Sequence, residues 1–138
     1  MNDNPFVGTW IYRSFYNDPD IATDFDKLEV GRATMVIQDG PMTALTGTIG
    51  GPGWSLNLTG SRQYGTPMRA RFEGRGVVGG EEWIYDYDGY LVAPWPNGVQ
   101  ERPAMTGSLI RTIPHSGSGA GTIHPAGVVF SFYAVRTA

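Results

Sequence analysis

Two histidines, His115 and His124, stand either side of a Ser-Gly-Ser-Gly-Ala-Gly run. Imidazole gains and loses a proton near neutral pH and is the commonest metal ligand. Facing each other across a hairpin, these two could shuttle a proton or share an ion. Zinc usually takes at least three protein ligands, and no third ligand lies nearby in the sequence. Exposed histidines at the ends of a loop are the simpler expectation. The loop itself, Ser116 to Gly121, lacks the Gly-Lys-Ser/Thr ending of a phosphate loop and runs into a strand, which argues against nucleotide binding there.

A denser group of reactive types lies in "GRGVVGGEEWIYDYDGY", Gly74 to Tyr90. Its Asp86-Tyr87-Asp88-Gly89 segment has the look of a calcium loop. Such a loop needs ligands at about five spaced positions and a closing bidentate Glu. Here the two acids alternate along a strand and no Glu closes the set. A serine nucleophile is equally weak, because no Gly-x-Ser-x-Gly elbow occurs. Most acids neighbour arginines, which lowers a carboxyl pKa rather than raising it as an acid catalyst requires. The chain has no cysteine, so disulfides, thiolate metal sites and cysteine nucleophiles are excluded. Asn57 opens an Asn-Leu-Thr sequon, but it falls inside an expected strand.

These residues must be positioned by strands. Twenty Gly and ten Pro punctuate 138 residues. Between them lie short runs rich in Val, Ile, Thr, Tyr, Phe and Trp, the pattern of an antiparallel sandwich or barrel. We expect strands over 7–16, 33–38, 43–49, 54–60, 68–78, 81–92, 104–113 and 127–136. In the fourth, Trp54, Leu56 and Leu58 alternate with Ser55, Asn57 and Thr59, the period of a half-buried strand. Asp20 is expected to cap a short helix reaching about Phe25. No repeat or linker divides the chain, so residues 1–138 read as one domain.

The Gly79-Gly80 pair favours a two-residue hairpin turn. That register sets Gly76 opposite Trp83, Gly74 opposite Tyr85 and Phe72 opposite Tyr87. On the other face Arg75 meets Ile84, Glu73 meets Asp86 and Arg71 meets Asp88. One face is then aromatic and glycine, the other mostly charged. A slip of one residue would scramble both faces. The charged face reads as a lattice of cross-strand pairs, led by Arg71–Asp88.

Five large rings, Trp54, Phe72, Trp83, Tyr85 and Tyr87, therefore point to one side of adjacent strands. An eight-stranded barrel is just wide enough to be filled by side chains or to hold one small ligand. Five rings argue for filling. A cavity for an apolar or aromatic ligand is the alternative, with these rings as its walls. The segment 93–103, "APWPNGVQERP", carries Trp95 on a proline-stiffened loop. Trp95 could cap the barrel mouth, with Arg62, Tyr64 and Arg102 nearby, or enter a neighbouring subunit.

The start Phe6-Val7-Gly8-Thr9-Trp10 resembles the opening of fatty-acid-binding proteins and, more loosely, the Gly-x-Trp start of lipocalins, both calycin barrels. In these families the Trp closes one end of the barrel, and in many lipocalins a basic residue of the last strand lies across it. The resemblance implies that Arg136 lies over Trp10. It covers five to seven residues. The helical pair that follows strand one in fatty-acid-binding proteins has no room here, and their Arg-x-Tyr on the last strand is absent. The strand count is closer to avidin or allene oxide cyclase barrels, and no binding residue is carried over from any of these families.

The expected fold is all-β: a closed or nearly closed antiparallel meander of about eight strands, with a β-sandwich as the alternative. A net charge of −3 and a pI near 5.2 supply no basic field for nucleic acid or an anionic membrane. No apolar run approaches the roughly 20 residues of a spanning helix, and "MNDNPFVGTW" lacks a signal-peptide pattern, so a soluble cytoplasmic protein is expected. The functional expectation is a non-catalytic barrel for a small apolar or aromatic molecule, without cofactor or metal and forming a homo-oligomer. A cofactor-independent isomerase or cyclase, or a filled structural barrel, are the alternatives.

Overall fold

The computed structural model describes residues 4–117 and 121–137. Eight strands close into one antiparallel barrel: β1 (Gly8–Tyr16), β2 (Glu29–Asp39), β3 (Ala44–Gly51), β4 (Trp54–Gln63), β5 (Arg69–Val78), β6 (Glu81–Leu91), β7 (Ala104–Arg111) and β10 (Val129–Arg136). Each strand pairs with its predecessor, and β10 closes the ring by pairing with both β7 and β1. Between β7 and β10 a two-stranded ribbon is inserted, β8 (His115–Ser116) and β9 (Ile123–His124). Part of the Ser116–Gly121 loop, residues 118–120, lies outside the described residues.

Alternation sorts the side chains. Trp10 and Tyr12 of β1, Met35 and Ile37 of β2, and Leu56 and Leu58 of β4 point into the core, as do Phe130, Phe132 and Ala134 of β10. Burying this apolar surface is the main stabilising contribution. The Gly79-Gly80 turn forms with both residues at positive φ (58° and 83°), the conformation a tight hairpin needs and glycine adopts without strain. The β5–β6 register is the expected one throughout, from Phe72↔Tyr87 to Gly76↔Trp83.

Several expectations need correction. The single helical turn among the described residues, α1, spans Phe25–Leu28. Asp20 does not cap it; its carboxylate accepts from the Ala22 amide at 3.0 Å in a local turn. β2 begins four residues earlier than expected. Gly31 does not break it: a register shift at Ser14/Phe15 lets Glu29 pair with Phe15.

Glycines also act inside strands. A Cβ at Gly60 would sit 1.8 Å from the Arg71 carbonyl oxygen, and one at Gly107 would sit 1.9 Å from that of Asp88. Neighbouring backbone approaches too closely for any side chain, which allows a small barrel to coil tightly. On the outer face Asp88 bonds Arg69, with Arg69 Nε to Asp88 Oδ1 at 2.6 Å, rather than Arg71 directly opposite. Arg75 bridges Glu73 and Glu82.

Candidate functional site

The two ends of the barrel differ. At one end Phe6 and Trp10 are fully buried. The Trp10 indole N–H donates to the Phe6 carbonyl at 2.9 Å. The Arg136 guanidinium lies 5.9 Å from the Trp10 ring centroid and donates to the Pro5 carbonyl at 3.0 Å. The Arg136–Trp10 stacking expected from the calycin resemblance is therefore present.

The opposite end opens into a cavity of about 440 Å³. Its mouth is formed where β1 ends and β2 begins, with Tyr16 and Arg32, and by Trp54 and Trp83 at the starts of β4 and β6. Tyr12 and Tyr87 lie deeper, their centroids 6.2 Å apart and their planes at 77°. Both rings also meet Phe132, at 5.4 and 6.2 Å. This cluster of three rings forms an aromatic floor beneath the cavity. The interior is therefore packed with side chains in its closed half, while its open half leaves this cavity.

Four of the six residues singled out from the sequence, Trp54, Trp83, Tyr85 and Tyr87, line this cavity. Phe72 does not; it is core, opposite Tyr87. Trp95 does not either. Its loop belongs to the closed end, where the Arg136 amide donates to the Pro103 carbonyl at 2.9 Å. Trp95 is 75% exposed there, with its amide held by Glu101, so it does not cap the mouth.

A polar chain runs along one wall. The Arg111 Nε–H donates to the Tyr85 hydroxyl at 2.9 Å. Tyr85 lies 2.7 Å from His115 Nε2, and His115 Nδ1 lies 2.9 Å from the Ser116 carbonyl. A carbonyl can only accept, so Nδ1 carries the hydrogen, and in the neutral ring Nε2 accepts the Tyr85 proton. His115 is buried, 5% exposed. It stacks on Trp83 at 3.9 Å with 13° between planes. The histidines do face each other, His115↔His124, but His115 is not the exposed loop residue expected.

Burial lowers the His115 pKa, and the charge of Arg111 and the nearness of His124 lower it further against the Ser116 hydrogen bond. The ring is thus held neutral, as an acceptor. Burial likewise raises the hydroxyl of Tyr85, opposed by the Arg111 bond. It raises Tyr12, opposed by Ser14, and raises Tyr87 strongly. All three phenols therefore keep their protons. One carboxyl departs from the expectation that arginines hold the acids low. Asp86 is raised, by desolvation on the strand and by the charge of Glu73 opposite it, whereas Asp88, bonded to Arg69, is lowered.

Arg111 was missed in the sequence, although its position signals it. It shares inward parity with Met105 and Leu109 on β7, all three being buried. Tyr12 shares parity with Trp10 in the same way. The burial of His115 had no such signal, because the ribbon that folds it against Trp83 is only two residues per strand.

A scan against protein-family models finds no match for this chain, and comparisons with curated proteins and with solved structures find none either. Among the described residues, no helix is long and apolar enough to cross a membrane.

Proposed function

We propose that the barrel holds a small apolar or aromatic molecule in its open-end cavity without transforming it. The observation that carries this reading is a cavity of about 440 Å³ walled by Trp54, Trp83, Tyr12 and Tyr87 and closed below by aromatic packing. Small-molecule sites are of this kind: roughly 300–1,000 Å³, mostly apolar, with a few convergent polar groups. Rings lining such a wall offer edge-to-face and stacked contacts to a flat ligand. The hollow open half counts against a purely structural barrel.

The test is a titration of the chain with two-ring aromatic compounds, followed by tryptophan fluorescence, since Trp54 and Trp83 both line the cavity. Saturable quenching that is lost when Trp83 is replaced by Leu supports the reading. Linear, unsaturable quenching would end it. Native mass spectrometry of protein from its own source, looking for a retained small molecule, is the direct check.

A cofactor-independent isomerase is the second reading, favoured by the Arg111–Tyr85–His115 chain. A neutral imidazole acceptor beside a phenol on a cavity wall is suited to moving a proton within a substrate. Solvent deuterium appearing at carbon in a bound ketone, and not in the Tyr85→Phe variant, would favour this reading over simple binding.

A further inference from the structure

We infer that the molecule held in the cavity carries one compact anionic group of the carboxylate class, seated against Arg111. This rests on the binding reading above and adds the chemistry of the ligand's head.

The first support is the state of Arg111. It is 95% buried, given its exposure of 5%, and it lines the cavity. The ion pairs among the described residues join Arg32 to Glu29, Arg69 to Asp88, and Arg75 to Glu73 and Glu82. None of them involves Arg111. A buried cation without a counter-charge is costly, and proteins normally pair it. A guanidinium has five N–H donors. Nε serves Tyr85, and Nη1 serves the Pro125 carbonyl at 3.2 Å. Among the described residues, no acceptor bonds its three remaining N–H groups.

The second support is the sign of the lining. The chain carries 13 acids and 10 basic residues, yet the charged residues lining the cavity are Arg32, which Glu29 pairs, and Arg111, and no acid lines it. Local charge is therefore opposite to net charge.

The third support is orientation. Arg111 lies 5.6 Å from the Tyr85 ring centroid and 5.3 Å from that of Phe130. These faces stabilise the cation and fix the plane of its fork. A fork held this way matches two carboxylate oxygens side by side. The Tyr85 proton is already committed to His115, so the phenol is an acceptor toward Arg111 and the arginine is the principal donor left for a ligand. The aromatic floor and walls take the rest of the molecule, which points to an aromatic acid rather than a free inorganic anion.

The experiment compares naphthoate with its neutral alcohol, naphthalenemethanol, by calorimetry on the full chain at neutral pH. The wild type is expected to bind the acid about tenfold or more tighter than the alcohol. Arg111→Gln is expected to weaken the acid by about tenfold or more and to leave the alcohol within about twofold. Equal binding of acid and alcohol by the wild type overturns the inference while leaving the cavity reading intact. Equal weakening of both probes by Arg111→Gln also overturns it, since the arginine would then only shape the cavity. Binding of neither probe overturns the inference and the reading together. If Arg111→Gln does not fold, the wild-type comparison decides alone.

Discussion

Each end of the barrel sets an arginine against aromatic rings, and the two arginines do opposite things. Arg136 lies over Trp10 where the surrounding space is filled, and its guanidinium is anchored to the Pro5 carbonyl. Arg111 lies between Tyr85 and Phe130 where the space is hollow, with donors left over. The same pair of residue types therefore closes one end and equips the other. The difference comes from what stands next to the pair. Phe6, Met35 and Met105 are fully buried core, whereas the Arg111 end has the cavity. An aromatic–arginine contact is by itself no sign of either structure or function; its unused donors and adjoining volume decide.

The largest effect should come from breaking the closed end. Trp10→Ala removes the largest fully buried side chain together with its hydrogen bond to Phe6. Truncations of this kind cost about 3–5 kcal/mol. Chemical denaturation should show that loss as a lower midpoint. A loss under about 1 kcal/mol would mean that the closed end is not a packed plug.

Next comes the hub of the open end. Tyr85→Phe keeps the ring and deletes the hydroxyl shared by Arg111 and His115. Two buried groups then lose a partner, at about 1–3 kcal/mol, read from the same denaturation curves. An unchanged midpoint would show that water reaches both groups freely and that the chain is not a sealed unit.

How much of this was legible in the sequence follows from the range of the forces involved. The strands, the Gly79-Gly80 turn and the β5–β6 register could be read because alternation and turn chemistry are local. Arg136 over Trp10 was legible through resemblance and is consistent with their direct pairing across β1 and β10. The cation partners on the outer face were not. Long arginine side chains reach diagonally, so Asp88 takes Arg69 rather than the opposed Arg71. The close backbone approach that Gly60 and Gly107 permit was not legible either, because it is set by the coiling of the whole sheet. The same holds for the site. Trp83, Tyr85 and Tyr87 were visible as a set on one strand, but His115 joins them only because the inserted ribbon folds back over β6. Trp95 looked site-like on a loop that closes the wrong end.

The two arginines can be set against each other directly. Arg136→Met removes a cation–π contact worth about 0.5–2 kcal/mol and a hydrogen bond to Pro5, so stability should fall. Arg111→Met removes a buried charge that no carboxylate balances and replaces it with an apolar side chain of similar reach. It also removes two ring contacts and the hydrogen bonds to Tyr85 and Pro125, but relief of the unbalanced buried charge offsets that loss, so its thermal midpoint should fall less than that of Arg136→Met. Parallel melting curves of the two variants make the comparison. If Arg111→Met loses as much as Arg136→Met, Arg111 is structural and its leftover donors are incidental.

The smallest effect should be a pH dependence confined to the open end. His115 takes its proton at lower pH in the barrel than in the unfolded chain, where histidine titrates near about 6.5. Between those two values the unfolded chain holds the extra proton. Stability is thus fully present above about pH 6.5 and declines as the pH falls below it. The carboxylates held low, Glu29, Glu73 and Asp88, lose their contributions only in the acid range, near and below about pH 4. The two windows therefore separate. Urea midpoints measured between about pH 7.5 and 5 should slope downward for the wild type. The slope should flatten in His115→Phe, which preserves an aromatic ring on Trp83 but cannot take a proton. At the closed end no histidine is present to titrate, so Arg136→Met should keep the wild-type slope while shifting the whole curve. A slope that survives in His115→Phe would place the proton elsewhere and remove the neutral imidazole from the wall of the cavity.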